Sequence, residues 1–171
     1  SAPLYDLLIK HQSGELPCKL PCIISNHEHI IEIAEQFNIP FHHLPISPET
    51  KSDQENIIRE IIKKENIDLL VLARYMQILS PEFVAENHGE IINIHHGFLP
   101  AFKGKSPYRQ AWDSGVKMIG ATAHYVTADL DEGPIIEQDV MSVNHQNSIQ
   151  EMMQAGRDIE RRVLTSAVKA H

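Results

Sequence analysis

The sequence predicts an α/β fold with a mostly parallel central sheet, helices on both faces and an antiparallel strand pair near the C-terminus. Its first part alternates short apolar runs with helical patterns, which is typical of parallel strands joined by crossover helices. The run at 68–73 (DLLVLA) is almost entirely apolar, as expected for a strand covered on both faces. Two further strand patterns, at 120–127 and 134–140, follow each other with only an acidic loop between them. This change of pattern predicts the final strand pair.

The other elements follow from apolar spacing and from helix start and stop signals. Additional strands are predicted at 20–25, 41–44 and 90–94. Helices are predicted at 4–13, 29–37, 108–113 and 148–167, and two more begin at Ser52 or Asp53 and at Ser80–Pro81, where Ser is a favoured cap. The buried stripes of the third and last helices are predicted to be Ile57, Ile58, Ile61 and Ile62, and Ile149, Met152, Met153, Ile159 and Val163.

Composition indicates an ordinary globular domain and limits the classes of partner. A length of 171 residues suits a single domain with a sizeable core. The formal net charge of −8 disfavours nucleic acid and anionic membranes, although a small anionic ligand needs only a local positive spot. No apolar run is long enough to cross a bilayer, and no signal peptide is visible. We therefore expect no nucleic-acid or membrane partner and a cytoplasmic location, with Cys18 and Cys22 as buried, reduced thiols.

The segment Asn93-Ile94-His95 is the first candidate for chemistry. Alternate residues of a strand share a face, so Asn93 and His95 point the same way at the C-terminal end of a buried strand. An amide N–H and an imidazole N–H that converge on one point stabilise an oxyanion. Spacing alone is equally compatible with two side chains that satisfy loop backbone groups.

The loop at 129–134 (DLDEGP) is the second candidate, because it places Asp129, Asp131 and Glu132 close together. One carboxylate in this loop could orient the histidine and manage protons at a reacting carbon. A solvated acidic turn is the alternative, and the ligand spacing of an EF-hand is absent. Composition alone does not choose between Asp129 and Asp131.

Other histidines and one apolar loop are weaker candidates for a functional role. His124, on the strand before the acidic loop, is more often a core histidine than a catalyst. The pairs His42-His43 and His27/His29 are interpreted as residues that line the site or lie at the surface, since adjacent strand residues point to opposite faces. The apolar, irregular stretch at 72–79 either lines a pocket for a flat heterocycle or packs under a surface loop.

Three longer strings carry a resemblance across nearly the whole chain: LARYMQILSPEF, INIHHGFLPAFKG and GATAHYVTADLDEGPIIEQDV. In this order they resemble the folate-dependent formyltransferase and deformylase superfamily. The resemblance implies a Rossmann-like formyltransferase fold for 1–171, with the family's first strand and an N-terminal ACT-type regulatory domain missing from the chain. It also implies a reduced folate as small-molecule substrate, no metal, no separate cofactor and a homo-oligomeric protein.

The resemblance also implies roles for individual residues. The catalytic Asn, His and Asp of the family fall on Asn93, His95 and Asp131. Its pterin pocket falls on the loops at 74–79 and 126–131. The substrate-binding residues implied are Arg74, Met76, Gln77, Ile78, Leu79, His96, Val126, Thr127, Ala128, Asp129 and Leu130.

Details of the strings are similar to the deformylase branch, above all the adjacent His95-His96 where the transferases have His-Pro or His-Ala. This branch implies hydrolysis of 10-formyltetrahydrofolate to formate and tetrahydrofolate, which supplies formate to one-carbon metabolism and purine biosynthesis. We expect Asn93 and a protonated His95 to stabilise the oxyanion, and Asp131 to act as general base and keep His95 charged. The alternatives are a phosphoribosylglycinamide formyltransferase and a non-catalytic folate-binding protein. Gly97 departs from the family, which has Ser there.

Overall fold

The computed structural model describes residues 2–73, 75, 78–144 and 146–171. Within these residues the helices are α1 (Ala2–Ser13), α2 (Ile31–Gln36), α3 (Lys51–Lys64), α4 (Pro81–Glu86), α5 (Pro107–Ser114) and α6 (Ile149–Ala170), with a 3-10 turn at Glu28–Ile30 before α2. The strands are β1 (Ile23–Ser25), β2 (Phe41–His43), β3 (Leu70–Leu72), β4 (Ile91–His95), β5 (Met118–Tyr125) and β6 (Ile135–Ser142). The predicted order of elements is confirmed, with ends that differ by a few residues.

Strand pairing confirms a mixed α/β fold and refines the predicted sheet. Strand β1 pairs with β2 in parallel, and β3 pairs with β4 in parallel. Strand β5 runs antiparallel to both β4 and β6, so the predicted antiparallel pair is confirmed and the parallel pattern ends at β4. Hydrogen bonds group the strands into a two-stranded sheet and a four-stranded sheet of order β3-β4-β5-β6.

The chain forms two compact units. The first, which we call the N-terminal unit, spans Leu8–Asp68 and contains β1, β2, α2 and α3. The second, the C-terminal unit, contains Leu69–His171 together with the chain up to Leu7. All strands of the four-stranded sheet and all of the implied catalytic residues belong to the C-terminal unit.

Helix α3 shows two differences from prediction within the N-terminal unit. It begins at Lys51, and neither Ser52 nor Asp53 is its cap, because Thr50 occupies that position. The Thr50 hydroxyl accepts a hydrogen bond from the Ser47 backbone N–H (2.8 Å), and this turn starts the helix earlier. Ile58 and Ile61 are buried as predicted, but Ile57 is 41% exposed.

Cys18 is exposed and Cys22 half-buried, so the prediction of two buried thiols was wrong for Cys18.

Helix α6 covers the four-stranded sheet and packs against β4, β5 and β6. The Ser148 hydroxyl accepts a hydrogen bond from the Glu151 N–H, and the Glu151 carboxylate accepts one from the Ser148 N–H, which forms a capping box. Ile159 and Val163 are buried as predicted, whereas Met153 is 39% exposed. Met152 occupies the inward position, and the next residue lies about 100° further around the helix.

Apolar strands supply the core of the C-terminal unit. Ile91, Ile92 and Ile94 of β4 are buried between the flanking strands β3 and β5, while Leu70–Leu72 are half-buried. The last residue of β4, His95, is buried as well, at 5% exposure. In the described part of the chain, no helix combines the length and the apolar character needed to cross a membrane.

Candidate active site

The register between β4 and β5 gathers four polar side chains. Asn93 lies opposite His124, and His95 lies opposite Thr122. Residues directly opposite each other in an antiparallel pair share a face, and so do alternate residues of one strand. Three of the four, His95, Thr122 and His124, are buried, and Asn93 is half-buried. The predicted pair Asn93 and His95 is therefore part of a larger polar group on one face of the sheet.

Asp131 is the acidic-loop residue that reaches this group. Its Oδ2 lies 3.4 Å from His95 Nδ1, and the residue is only 8% exposed. The Gly104 backbone N–H donates to the same oxygen at 3.0 Å. Asp131 has a φ of +56°, in the left-handed region that L residues enter at a cost of about 1–3 kcal/mol. Asp129 is exposed, so burial and geometry distinguish the two carboxylates that composition did not.

The orientation of the His95 ring follows from its second nitrogen. Nε2 lies 2.8 Å from the Phe102 carbonyl oxygen, which can only accept, so Nε2 carries a proton and donates it. Nδ1 consequently faces Asp131 and is the nitrogen that can gain or lose a proton there. A backbone carbonyl fixes the tautomer, which is a frequent role for such contacts.

Burial is the largest influence on the pKa of His95 and lowers it below the ordinary value of 6.5. Asp131 and the Phe102 carbonyl raise the pKa, whereas the nearby His96 and His124 lower it further. The expectation that Asp131 keeps His95 charged was therefore wrong in its net result. Asp131 acts in the expected direction, but the loss of hydration outweighs it.

His124 is the residue that the sequence analysis underestimated. Its Nδ1–H donates to the Tyr125 carbonyl (2.9 Å), and its Nε2 lies 3.8 Å from Asp131 Oδ1. This Nε2 is buried and has no hydrogen-bond partner among the described residues. The sequence carried no local signal for this role, because it is the pairing of β5 with β4 that places His124 opposite Asn93. Asp131 thus lies between two histidines.

His96 points to a different buried group. Its Nδ1 lies 2.5 Å from Glu160 Oε1, and Glu160, on α6, is completely buried. The Tyr108 hydroxyl donates to the same oxygen at 2.7 Å, and the His96 and Tyr108 rings stack with centroids 5.8 Å apart. The His96 side chain keeps 17% exposure, and a contact with substrate stays a prediction.

The implied pterin loops are described in part. Arg74, Met76 and Gln77 lie outside the described residues. Leu79, Val126 and Thr127 are half-buried, and Ala128 and Asp129 are exposed. Ile78 and Leu130 are 68% and 61% exposed, which is high for such apolar side chains. Exposed apolar residues on both implied loops are compatible with an apolar ligand surface.

Two glycines permit close approaches at this site. A Cβ at Gly133 would lie 1.6 Å from the Tyr125 carbonyl oxygen, so any side chain there would push the acidic loop away from β5. A Cβ at Gly97 would lie 3.2 Å from His95 Nε2. Glycine at position 97 therefore leaves space against the His95 ring itself.

A cavity of about 330 Å³ opens beside Asp131. Its walls come from the loop after β4 and from the acidic loop up to the first residue of β6. The lining includes Leu99, Pro100, Lys103, Asp131, Glu132, Gly133 and Ile135. A small molecule in this cavity would lie against the Asp131 carboxylate. The volume is at the lower end of the range usual for ligand sites.

The histidine pairs His27/His29 and His42-His43 lie in the N-terminal unit. The His27 and His29 rings have centroids 5.6 Å apart, and His43 Nε2 lies 3.3 Å from the Asn26 carbonyl. Among the residues that the structure describes, no group of three or more His, Cys, Asp or Glu side chains is arranged to hold a metal ion.

The model of the formyl transferase family matches residues 2–168. The chain belongs to the formyl transferase family. The resemblance of the three sequence strings to this family is thereby confirmed. The fold agrees, since the chain superposes with a TM-score of 0.96 on the crystal structure of a formyltetrahydrofolate deformylase from Pseudomonas syringae, at 47% identity, over 100% of this chain and 57% of that chain.

The chain is more similar in sequence to deformylases of this family than to a formyltransferase of known structure. A formyltetrahydrofolate deformylase of Synechocystis is 54% identical over 98% of this chain and 59% of its own length. A phosphoribosylglycinamide formyltransferase from Bacillus halodurans has a TM-score of 0.90 at 29% identity, over 98% of this chain and 88% of that chain. The chain thus spans little more than half of the length of the deformylases that it matches.

Proposed function

We propose that this chain catalyses the hydrolysis of 10-formyltetrahydrofolate to formate and tetrahydrofolate, as the catalytic part of a formyltetrahydrofolate deformylase. The observation that carries the proposal is the buried pair of His95 Nδ1 and Asp131 Oδ2, 3.4 Å apart, on the polar face that Asn93 shares. Identity of 54% to a deformylase, against 29% to a formyltransferase of known structure, favours hydrolysis over transfer.

The proposed reaction begins with attack by water on the formyl carbon. Asp131 takes a proton from the water, the C–O bond forms, and the carbonyl electron pair moves onto the formyl oxygen. The Asn93 amide N–H donates to that oxygen, an interaction whose loss typically costs on the order of 10²–10³ in rate. The tetrahedral species then collapses: the bond from carbon to the ring-bridging nitrogen breaks, and that nitrogen takes up the proton that came from the water. Formic acid leaves and loses its remaining proton to solvent as formate.

His95 is proposed to carry the proton between these two steps. In the resting site its lowered pKa favours the neutral ring, with the proton on Nε2 held by the Phe102 carbonyl. Nδ1 is then free to receive the proton that Asp131 has taken, across the 3.4 Å that separates them. The positive charge of the resulting imidazolium stabilises the oxyanion, and the proton returns through Asp131 to the leaving nitrogen. General acid–base transfer of this kind contributes about 10²–10⁴ in rate.

His124 supports the same carboxylate in this proposal. Its Nε2 lone pair, 3.8 Å from Asp131 Oδ1, is buried, and its other nitrogen is committed to the Tyr125 carbonyl. A water molecule that donates to both Nε2 and Oδ1 would satisfy the nitrogen and be held at the base. We therefore assign His124 the role of orienting Asp131 and the attacking water.

The deciding experiment measures formate release from 10-formyltetrahydrofolate with and without glycinamide ribonucleotide. We expect release that does not depend on the acceptor and that falls by about 10²–10⁴ in Asp131→Asn, which lacks the general base. Asp113→Asn, an exposed carboxylate of α5, is the matched control and should keep the wild-type rate. Consumption of substrate only when the acceptor is present would instead assign the chain to transfer.

Several expectations about this chain, beyond the reaction itself, stay predictions. They are the individual contacts of the substrate-binding residues, the absence of a cofactor, assembly into a homo-oligomer, a cytoplasmic location and the additional N-terminal regulatory domain. Contact of folate with Ile78 and Leu130 is the most accessible of them to test, since both side chains are exposed.

A further inference from the structure

The short segment from Phe102 to Lys105, called the 102–105 segment below, contacts both proposed catalytic residues through its backbone. The Phe102 carbonyl accepts from His95 Nε2 at 2.8 Å. Two residues later the Gly104 N–H donates to Asp131 Oδ2 at 3.0 Å. One segment therefore sets the tautomer of the histidine and the rotamer of the carboxylate, and a shift of the segment changes both.

The local backbone does not hold the 102–105 segment in place. Phe102 has a φ of +55°, and Gly104 one of +85°. A non-glycine residue in the left-handed region is strained and persists only where its surroundings impose it. The segment lies in the loop between β4 and α5, outside any strand ladder, and Lys103 and Lys105 are exposed. Its conformation must therefore be imposed by side chains outside it.

Gln110 of α5 supplies such an interaction. Its Nε2 donates to the Lys103 carbonyl at 3.1 Å and to the Lys105 carbonyl at 2.7 Å. An amide nitrogen carries two hydrogens, and here both are used on the residues that flank Gly104. Through the Lys103 carbonyl, Gln110 thus holds the very peptide that carries the Gly104 N–H, and through the Lys105 carbonyl it holds the peptide two units further on.

A second, weaker interaction acts on the same segment. Lys103 Nζ donates to Glu132 Oε1 at 2.7 Å, and the two side chains are 41% and 52% exposed. An exposed pair of this kind is weak and is screened by salt. Lys103 precedes Gly104 and Glu132 follows Asp131. The ion pair therefore joins the same two loops as the hydrogen bond from Gly104 to Asp131.

We propose that Gln110 is a positioning residue, which holds the 102–105 segment so that its backbone orients His95 and Asp131 together, with the Lys103–Glu132 pair in a supporting role. The catalytic roles in this statement rest on the proposed function. The positioning itself concerns the resting protein and is measurable without turnover.

The test compares Gln110→Met, which removes both donors without adding charge, with Gln150→Met, an exposed position of α6. The primary measurement is nitrogen and proton NMR of the His95 ring during a pH titration. We expect Gln110→Met to weaken the Nε2–H bond to Phe102 and to lower the pKa of His95 further, because the Phe102 carbonyl raises that pKa. Asp131, His96 and His124 also face His95, and none of them is altered by the variant.

Kinetics provide the second measurement. We expect kcat to fall on the order of 10-fold or more with KM within about twofold, since misplacement of catalytic groups acts on the chemical step. Gln150→Met should match wild type in both measurements. A Gln110→Met protein that is folded, with an unchanged His95 titration and an unchanged kcat, would overturn the proposal. A wild type that releases no formate, combined with the expected NMR change, would reject the proposed function and keep the positioning role.

A charge exchange covers the case in which Gln110→Met does not fold. Lys103→Glu and Glu132→Lys should each weaken the His95 Nε2–H bond, and the double exchange should restore it. If the single variants weaken the His95 Nε2–H bond and the double variant restores it, the segment is held by side chains outside it. If both single variants and the double variant match wild type, or if the double variant restores nothing, the supporting role of the Lys103–Glu132 pair is contradicted.

Discussion

At the scale of single residues, the titration of His95 decides how the proposed site works. Its ring is buried, one nitrogen is bound to a carbonyl, and the other faces a carboxylate. Burial lowers the pKa, and Asp131 raises it by less. The free site at neutral pH therefore holds a neutral imidazole beside an acidic side chain, which is an arrangement ready to accept a proton when water attacks.

This balance gives a prediction for Asp131→Asn. The variant removes the charge that raises the pKa of His95 and leaves the burial that lowers it, so the pKa should fall further below 6.5 than in the wild type. A proton NMR titration of the histidine C2–H signal measures the shift directly. Asp113→Asn should leave the His95 curve in place. A higher pKa in Asp131→Asn would mean that the carboxylate does not face a titrating Nδ1.

At the scale of elements, β5 holds the loop that follows β4. The Thr122 hydroxyl is completely buried, donates to the Gly97 carbonyl (2.8 Å) and accepts from the Leu99 N–H (3.0 Å). Gln138 of β6 donates to the same hydroxyl and to the Leu99 carbonyl. Two side chains of β5 and β6 thereby hold three backbone groups of the loop that follows His95: the Gly97 carbonyl, the Leu99 N–H and the Leu99 carbonyl.

Thr122→Val tests this connection. Valine keeps the shape but leaves the Leu99 N–H and the Gly97 carbonyl without this partner, and an unsatisfied buried group costs about 1–3 kcal/mol. We expect the free energy of unfolding to fall by about that amount in urea denaturation. Thr122→Ser keeps the hydroxyl and should lose less than Thr122→Val. Equal losses in the two variants would show that the methyl group, and not the hydrogen bonds, is important.

At the scale of the whole molecule, the same lowered pKa couples stability to pH. The ring of His95 binds a proton less readily in the folded chain than in the unfolded chain, whose value is near 6.5. The unfolded state therefore takes up more protons as the pH falls below 6.5. The contribution of His95 to stability is complete above that value and is lost as the pH falls through the folded pKa.

Urea unfolding at about pH 7.5 and about pH 5.5 checks this coupling. The wild type should be less stable at the lower pH, and His95→Gln should show a smaller loss because its side chain does not titrate. His29→Gln, an exposed histidine in the N-terminal unit, should keep the wild-type difference. An identical pH dependence in wild type and His95→Gln would exclude His95 as a contributor.

The sequence predicted the order of helices and strands, because apolar periodicity and cap residues are local properties that the fold then uses. The sequence-based prediction was wrong at positions where contacts with neighbouring residues set the end of a helix or its buried face. The Ser47–Thr50 turn starts α3 before Ser52, and the inward face of α6 passes through Met152, which leaves Met153 exposed. Both differences are shifts of one or a few residues in elements whose existence was predicted correctly.

The sequence by itself determined the family, the α/β class and the pair Asn93 and His95, because alternation along one strand places both on one face. Only the tertiary structure distinguished Asp131 from Asp129, brought His124 to the same carboxylate and joined Gln110 to the 102–105 segment. These contacts join residues from separate elements, and several of them use backbone N–H and carbonyl groups. Every residue except proline carries both of those groups, so no pattern of side chains along the chain shows which of them will meet.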